Sequence, residues 1–295
     1  MVVVREPSRE SFSVVQTKIA SNLDRFLPFR EHGLSRRKVQ GVGGAFHPAI
    51  MDLPGGFASC VLTRTHLFNS RLLLELRSSS HYRSLAEWKQ TLLDHGFQEP
   101  SPDDKEQKTA IASLTPILNM SSYGQPQCRR FKAVLKDPVK YFQQEQQFRD
   151  LWARVQATNT DDPELKKIPF LRFLKWTQST VNSQKVFPML GNLTGYLLSA
   201  DFVYAGRVAR PSVEEIGRVI ARMGLGSLRG LIALGHPLTM DSSAEQVADA
   251  FKYVHDELEK AFTAEEREWM MFDPIMVEHT LCKYNRVLGP GGGSD

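Results

Sequence analysis

From Asp137 onward the chain is punctuated by residues that begin helices. Asp137-Pro138, Asp162-Pro163, Pro211-Ser212, Ser242-Ser243 and Asp273-Pro274 each put a capping side chain or a proline where the unpaired amides of a helix start require one. Apolar residues follow at three- and four-residue steps, which predicts helices over 137–157, 163–181, 187–206, 212–223, 227–235, 243–262, 264–272 and 274–287. A first helix is predicted over 9–29 on Phe12, Val15, Ile19, Leu23 and Phe26, with Ser8 as N-cap. Ser84-Leu-Ala-Glu87 reads as a capping box whose helix ends near His95, before Gly96.

Strand character is confined to 45–83. Phe57–Arg64, bounded by Leu53-Pro-Gly-Gly56, reads as a strand, and Arg71–Arg77 as a strand or a short helix. The expected fold class is therefore mainly α, a multi-helix globular body with a small mixed α/β N-terminal portion. The polar, proline-punctuated stretch 99–108 and the break at 121–126 divide it. This organisation gives an N-terminal portion over 1–120, a helical domain over 127–288 and a disordered tail over 289–295.

Hydrophobic residues at 41% and charged residues at 24% suit a packed interior. The first residues lack the apolar core of a signal peptide, and no window approaches the roughly 18 apolar residues of a membrane span. The nearest, Phe187 to Ala205, is broken by Asn192, Thr194 and Asp201. Three cysteines, Cys60, Cys128 and Cys282, are an odd number without a Cys-x-x-Cys pair, so free thiols are expected and a thiolate zinc site is not. An intracellular protein, in cytoplasm or nucleus and without a membrane partner, is the expectation.

Charge is unevenly distributed. Residues 1–83 carry twelve Lys/Arg against six Asp/Glu, 165–240 ten against three, and 241–295 five against twelve. A basic middle and an acidic end imply an anionic partner or segments that attract one another. From Leu165 to Ala200 there is no acid, while Lys166, Lys167, Arg172, Lys175 and Lys185 are basic and interleave with Phe170, Phe173 and Trp176. That arrangement fits a strand-binding surface, but at helical spacing Phe170, Leu171 and Leu174 read first as a core face with the bases as a solvated rim. Arg207, Arg210, Arg218, Arg222 and Arg229 extend the charge, and guanidinium suits bidentate phosphate contact.

The sharpest local pattern is Ile216-Gly-Arg-Val-Ile-Ala-Arg-Met-Gly-Leu-Gly-Ser-Leu-Arg-Gly-Leu-Ile-Ala-Leu234, two helical segments around a Gly-Leu-Gly turn. It resembles the helix-hairpin-helix motif of DNA-binding and DNA-repair proteins over about twenty residues. The resemblance implies that Gly224 and Gly226 let backbone approach a phosphate, which the amides of the second helix then face. Ser227 would add a hydroxyl, and Arg218, Arg222 and Arg229 charge, without reading bases. Met223 stands where proline is common in that family, and Asp241 follows the hairpin at a shorter spacing than the family's catalytic aspartate. A tight αα-hairpin with glycines at a cap and a close helix contact accounts for the same residues.

Enzyme chemistry has fewer anchors. Arg36-Arg37-Lys38 beside Gly41-Val-Gly-Gly44 is neither a Walker loop nor a dinucleotide fingerprint, and reads as a flexible basic loop. His47 and Asp52, with His66 and His81 beyond, lack the spacing of a two-histidine, one-carboxylate iron site. His255 and Glu259 share a helix face, as an exposed ion pair would. No Gly-x-Ser-x-Gly elbow exists. The reading is a nucleic-acid-binding protein that meets DNA or RNA backbone through Lys166, Lys167, Arg172, Lys175 and the 218–229 hairpin, with no metal and no cofactor. A glycosylase-like enzyme using Asp241 and a non-catalytic homo-oligomeric interaction protein are the alternatives.

Overall fold

The computed structural model describes residues 9–21, 23–68, 70–75, 80–98, 112–114, 117–118, 134–224 and 226–288. The 99–108 stretch, the 121–126 break, Ser8, Cys128, Leu225 and the 289–295 tail lie outside the described residues. In chain order the α-helices are α1 (Arg9–Ser21), α2 (Leu23–Phe26), α3 (Leu34–Gln40), α4 (Pro48–Met51), α5 (Gly56–Leu62), α6 (Arg71–Glu75) and α7 (Leu85–Asp94). They continue as α8 (Val139–Gln143), α9 (Glu145–Gln156), α10 (Phe170–Thr177), α11 (Asn192–Tyr204), α12 (Val213–Met223), α13 (Gly226–Ala233), α14 (Ala244–Ala261), α15 (Ala264–Met270) and α16 (Pro274–Leu288). No helix is long and apolar enough to cross a membrane, among the described residues.

The mainly α expectation holds, and the mixed α/β N-terminal portion does not. Among the described residues the strands are β1 (Thr180–Val181) and β2 (Gln184–Lys185), an antiparallel hairpin pairing Thr180 with Lys185. Residues 57–64 are instead α5 running into a π-helical turn, Thr63–Leu67, in which the Phe68 amide reaches back to the Thr63 carbonyl at 3.1 Å. Every residue from Gly55 to Phe68 is buried. A helix buried on all sides loses the 3.6-residue alternation that would distinguish it from a buried strand.

The chain forms two compact units by packing, one of Met1–Leu34 with Pro211–Asp295 and one of Ser35–Arg210. The second unit is built around α5 and α11, with Thr194 to Val203 of α11 all buried. Phe57 stacks on Phe148 at 4.6 Å, Phe173 meets Phe202 at 5.0 Å, and Trp176 meets Phe187 edge-on at 5.0 Å. Each of these buried phenylalanines contributes about 1.5–3 kcal/mol over an exposed one. Inside this core sits Asp201, fully buried, bound by Arg36 Nη1 at 2.6 Å and by Arg64 Nε and Nη2 at 2.5 and 2.7 Å. Arg64 also lies over the Phe68 ring at 3.5 Å.

In the first unit α12 packs along α14 and α13 along α16, with α2 and a 3₁₀ turn at Arg30–His32 against α16. Capping boxes start α12 at Ser212, α14 at Ser243 and α15 at Thr263, each hydroxyl accepting the amide three residues on. These starts fall within a residue of the sequence expectation because capping chemistry is local.

Candidate nucleic-acid interface

The hairpin begins where α12 ends. Ile216, Val219 and Ile220 are buried, so Arg218 and Arg222, one turn apart, face solvent. Gly224 closes the helix at φ 56°, its amide bonded to the Ile220 carbonyl at 3.0 Å. That left-handed cap is cheap only for glycine. α13 then starts at Gly226 and presents Arg229 outward.

The other two glycines serve packing. A Cβ on Gly230 would sit 2.4 Å from the Leu281 carbonyl oxygen, and one on Gly226 2.8 Å from Cys282 Sγ. Both positions let α13 lie directly on α16. Ser227 is fully buried and its Oγ has no hydrogen-bond partner. Its hydroxyl therefore faces inward, away from the surface that carries Arg222 and Arg229.

Charge separates the three arginines. Glu245 is held below the usual carboxylate range by the amide of its own residue, then by the Ser243 hydroxyl, with Arg218 adding to the effect. Glu214 is lowered by the same kinds of contact, its own amide first, with Lys252 and Arg218 behind them. Arg218 thus sits among carboxylates. Arg222 and Arg229 are exposed and have no carboxylate partner among the described residues. Asp241 is exposed in the turn where its amide bonds Thr239 Oγ1 at 3.3 Å. Met240 brings its methyl group 3.6 Å from where a Cβ on Gly224 would stand. The Asp241 turn and the hairpin turn are therefore neighbours.

The remaining basic residues belong to the second unit. α10 buries Phe170, Phe173 and Leu174 and exposes Arg172 and Lys175. The rings that interleave with the bases in sequence lie in the aromatic core, with Trp176 half-buried against Phe148 and Phe187, so they form no stacking platform. Lys166 is half-buried, and Lys167 pairs with Glu164 at 2.5 Å. Arg207 is committed to Asp52 at 2.7 Å and to the Trp152 ring at 4.5 Å. Arg36, expected in a flexible basic loop, belongs to α3 and is buried on Asp201. A shallow recess of ≈ 390 Å³ between α8 and the β1–β2 hairpin is lined by Lys140, Gln143, Gln144, Asn182, Gln184 and Lys185 with two valines, and by no carboxylate.

His255, Asp256 and Glu259 are the one group among the described residues whose ligand atoms could meet a metal ion, all within 4.8 Å of one another. Both carboxylates are already matched, Asp256 by Lys252 at 2.6 Å and Glu259 by Arg267 at 3.2 Å. The His255–Glu259 ion pair expected from spacing is replaced by these two.

Two buried features escaped the sequence reading. Asp201 had a signal, a carboxylate interrupting an apolar stretch. His66 had none: it is fully buried on the π turn, stacked near Trp88 at 6.0 Å, and both ring nitrogens lack partners. Burial pushes its pKa down to about 3, so the ring is neutral. Compared with known families, curated proteins and solved structures, the chain matches none.

Proposed function

We propose that the protein binds the phosphate backbone of DNA or RNA without strong sequence reading. The observation that carries this is the pair of exposed, unmatched guanidiniums, Arg222 and Arg229, on either side of the Gly224 turn. An unpaired guanidinium in water is free to take a phosphate bidentately. Arg172 and Lys175 on α10 and the acid-free recess at Lys140 and Lys185 support the same reading for the second unit. Phosphate contacts of this kind position a strand and carry no base information.

The test is reversal of charge. Arg222→Glu with Arg229→Glu, folded as judged by circular dichroism, should lose most affinity for both duplex and single-stranded probes. Unchanged affinity in that variant sinks the proposal.

A second reading, an enzyme acting on nucleic acid, rests on the exposed Asp241 carboxylate beside the hairpin turn. Asp241→Asn should then retain binding and abolish turnover of a damaged-base or nicked substrate. Turnover by the asparagine variant at the wild-type rate would remove Asp241 from any catalytic role.

A further inference from the structure

A cluster of three rings stands at the surface of the first unit, apart from the arginine hairpin. Phe29 meets Trp269 edge-on at 5.3 Å and His32 edge-on at 6.2 Å, while His32 lies tilted on Trp269 at 4.7 Å. His32 Nε2 donates to the Trp269 carbonyl at 2.8 Å, which ties the 3₁₀ turn to α15. Trp269 is nonetheless 59% exposed, more than any other Phe, Tyr or Trp among the described residues. A large indole left open to water, while its supporting rings are fixed beneath it, is the kind of residue that anchors an interface.

The short helix that carries Trp269 is acidic, with Glu265, Glu266 and Glu268 against Arg267. Glu265 and Glu268 are exposed and make no ion pair among the described residues. Glu265 lies one helical turn before Trp269, on the same face. Glu266 is occupied by the Thr263 cap, and Arg267 is turned to Glu259. The segment 241–295 carries five basic against twelve acidic residues.

An open indole face with free carboxylates beside it attracts a cation twice, through the ring quadrupole and through charge. We propose that this corner docks an arginine-bearing basic segment of a partner protein. The planar guanidinium stacks on the Trp269 face while Glu265 and Glu268 accept its hydrogen bonds. Arginine is preferred over lysine because its weakly hydrated plane can stack and donate at once.

The experiment uses the whole chain and fluorescein-labelled octa-arginine and octa-lysine, read by anisotropy at low and moderate salt. Octa-arginine should bind more tightly than octa-lysine. Trp269→Ala should weaken it about fivefold, as an exposed cation–π contact allows, and Trp269→Phe should keep most of the affinity. Glu265→Gln with Glu268→Gln should weaken binding and flatten its salt dependence. Arg222→Ala with Arg229→Ala should not weaken it, whereas it weakens nucleic-acid binding, which separates this surface from the nucleic-acid reading. Equal binding by Trp269→Ala, with its melting curve intact, or no binding at low salt, would overturn the proposal. Concentration-dependent self-association that Trp269→Ala dissolves would also overturn it, by assigning the surface to a second copy.

Discussion

Gly230→Ala distinguishes a glycine needed for packing from one kept open for a ligand. The new methyl would lie 2.4 Å from the Leu281 carbonyl oxygen, 2.9 Å from its carbonyl carbon and 3.1 Å from its Cβ. The nearest atoms are backbone of α16 and cannot rotate away, so the two helices must part by about 1 Å to reach ordinary contact. Overpacking of this kind costs about 1–3 kcal/mol. Alanine's better helix propensity returns about 1 kcal/mol. Because the clash is with backbone at 2.4 Å, the overpacking cost falls at about 2–3 kcal/mol, and the net expectation is a loss of about 1–2 kcal/mol. Urea unfolding followed by circular dichroism should show a lower midpoint with an unchanged slope. Arg229→Ala, exposed one position earlier, should stay within about 0.5 kcal/mol of wild type. A Gly230→Ala protein as stable as wild type would refute the close contact of α13 with α16.

Asp201→Asn should destabilise by about 3–5 kcal/mol, because it leaves the buried Arg36 and Arg64 guanidiniums without their shared carboxylate; a loss under about 1 kcal/mol in the same urea assay would contradict the buried triad. His66 gives a pH signature. Its folded pKa, about 3, lies below the ordinary 6.5, so between those values the unfolded state binds the extra proton and stability falls as pH drops. His66→Phe should remove that acid-side slope, which approaches about 1.4 kcal/mol per pH unit for one proton; parallel wild-type and variant curves would refute it. Burial also raises the Cys60 thiol well above its ordinary range, so mass spectrometry after iodoacetamide treatment should find Cys60 unlabelled in native protein and labelled in urea, and native labelling would show that α5 opens.

The part of the fold that the sequence makes legible is the part whose causes are local. Ser212 and Ser243 cap the helices they precede, because a hydroxyl satisfies an amide three residues away whatever the rest of the chain does. α5 and the π turn are illegible for the opposite reason: burial on every side erases the periodic signal, and their identity depends on distant partners such as Asp201. The hairpin lies between these cases. Gly224 is legible as a cap, while Gly226 and Gly230 answer to α16, some fifty residues on, and the inward aim of Ser227 follows from how α13 is rotated on that helix. The corner at Trp269 draws Phe29 and His32 from the other end of the chain, and no sequence spacing connects them.

The proposed function makes Arg222 and Arg229 phosphate contacts. Its most direct measurement is the affinity of wild type and of Arg222→Glu/Arg229→Glu for a short DNA duplex across a range of salt concentrations. Each phosphate contact adds about 0.9 to the slope of log K against log salt. Wild type should bind more weakly as salt rises, and removing two contacts should reduce the slope by about 1.8 along with the affinity. Identical slopes and affinities for the two proteins, or no binding by wild type at low salt, would contradict the claim.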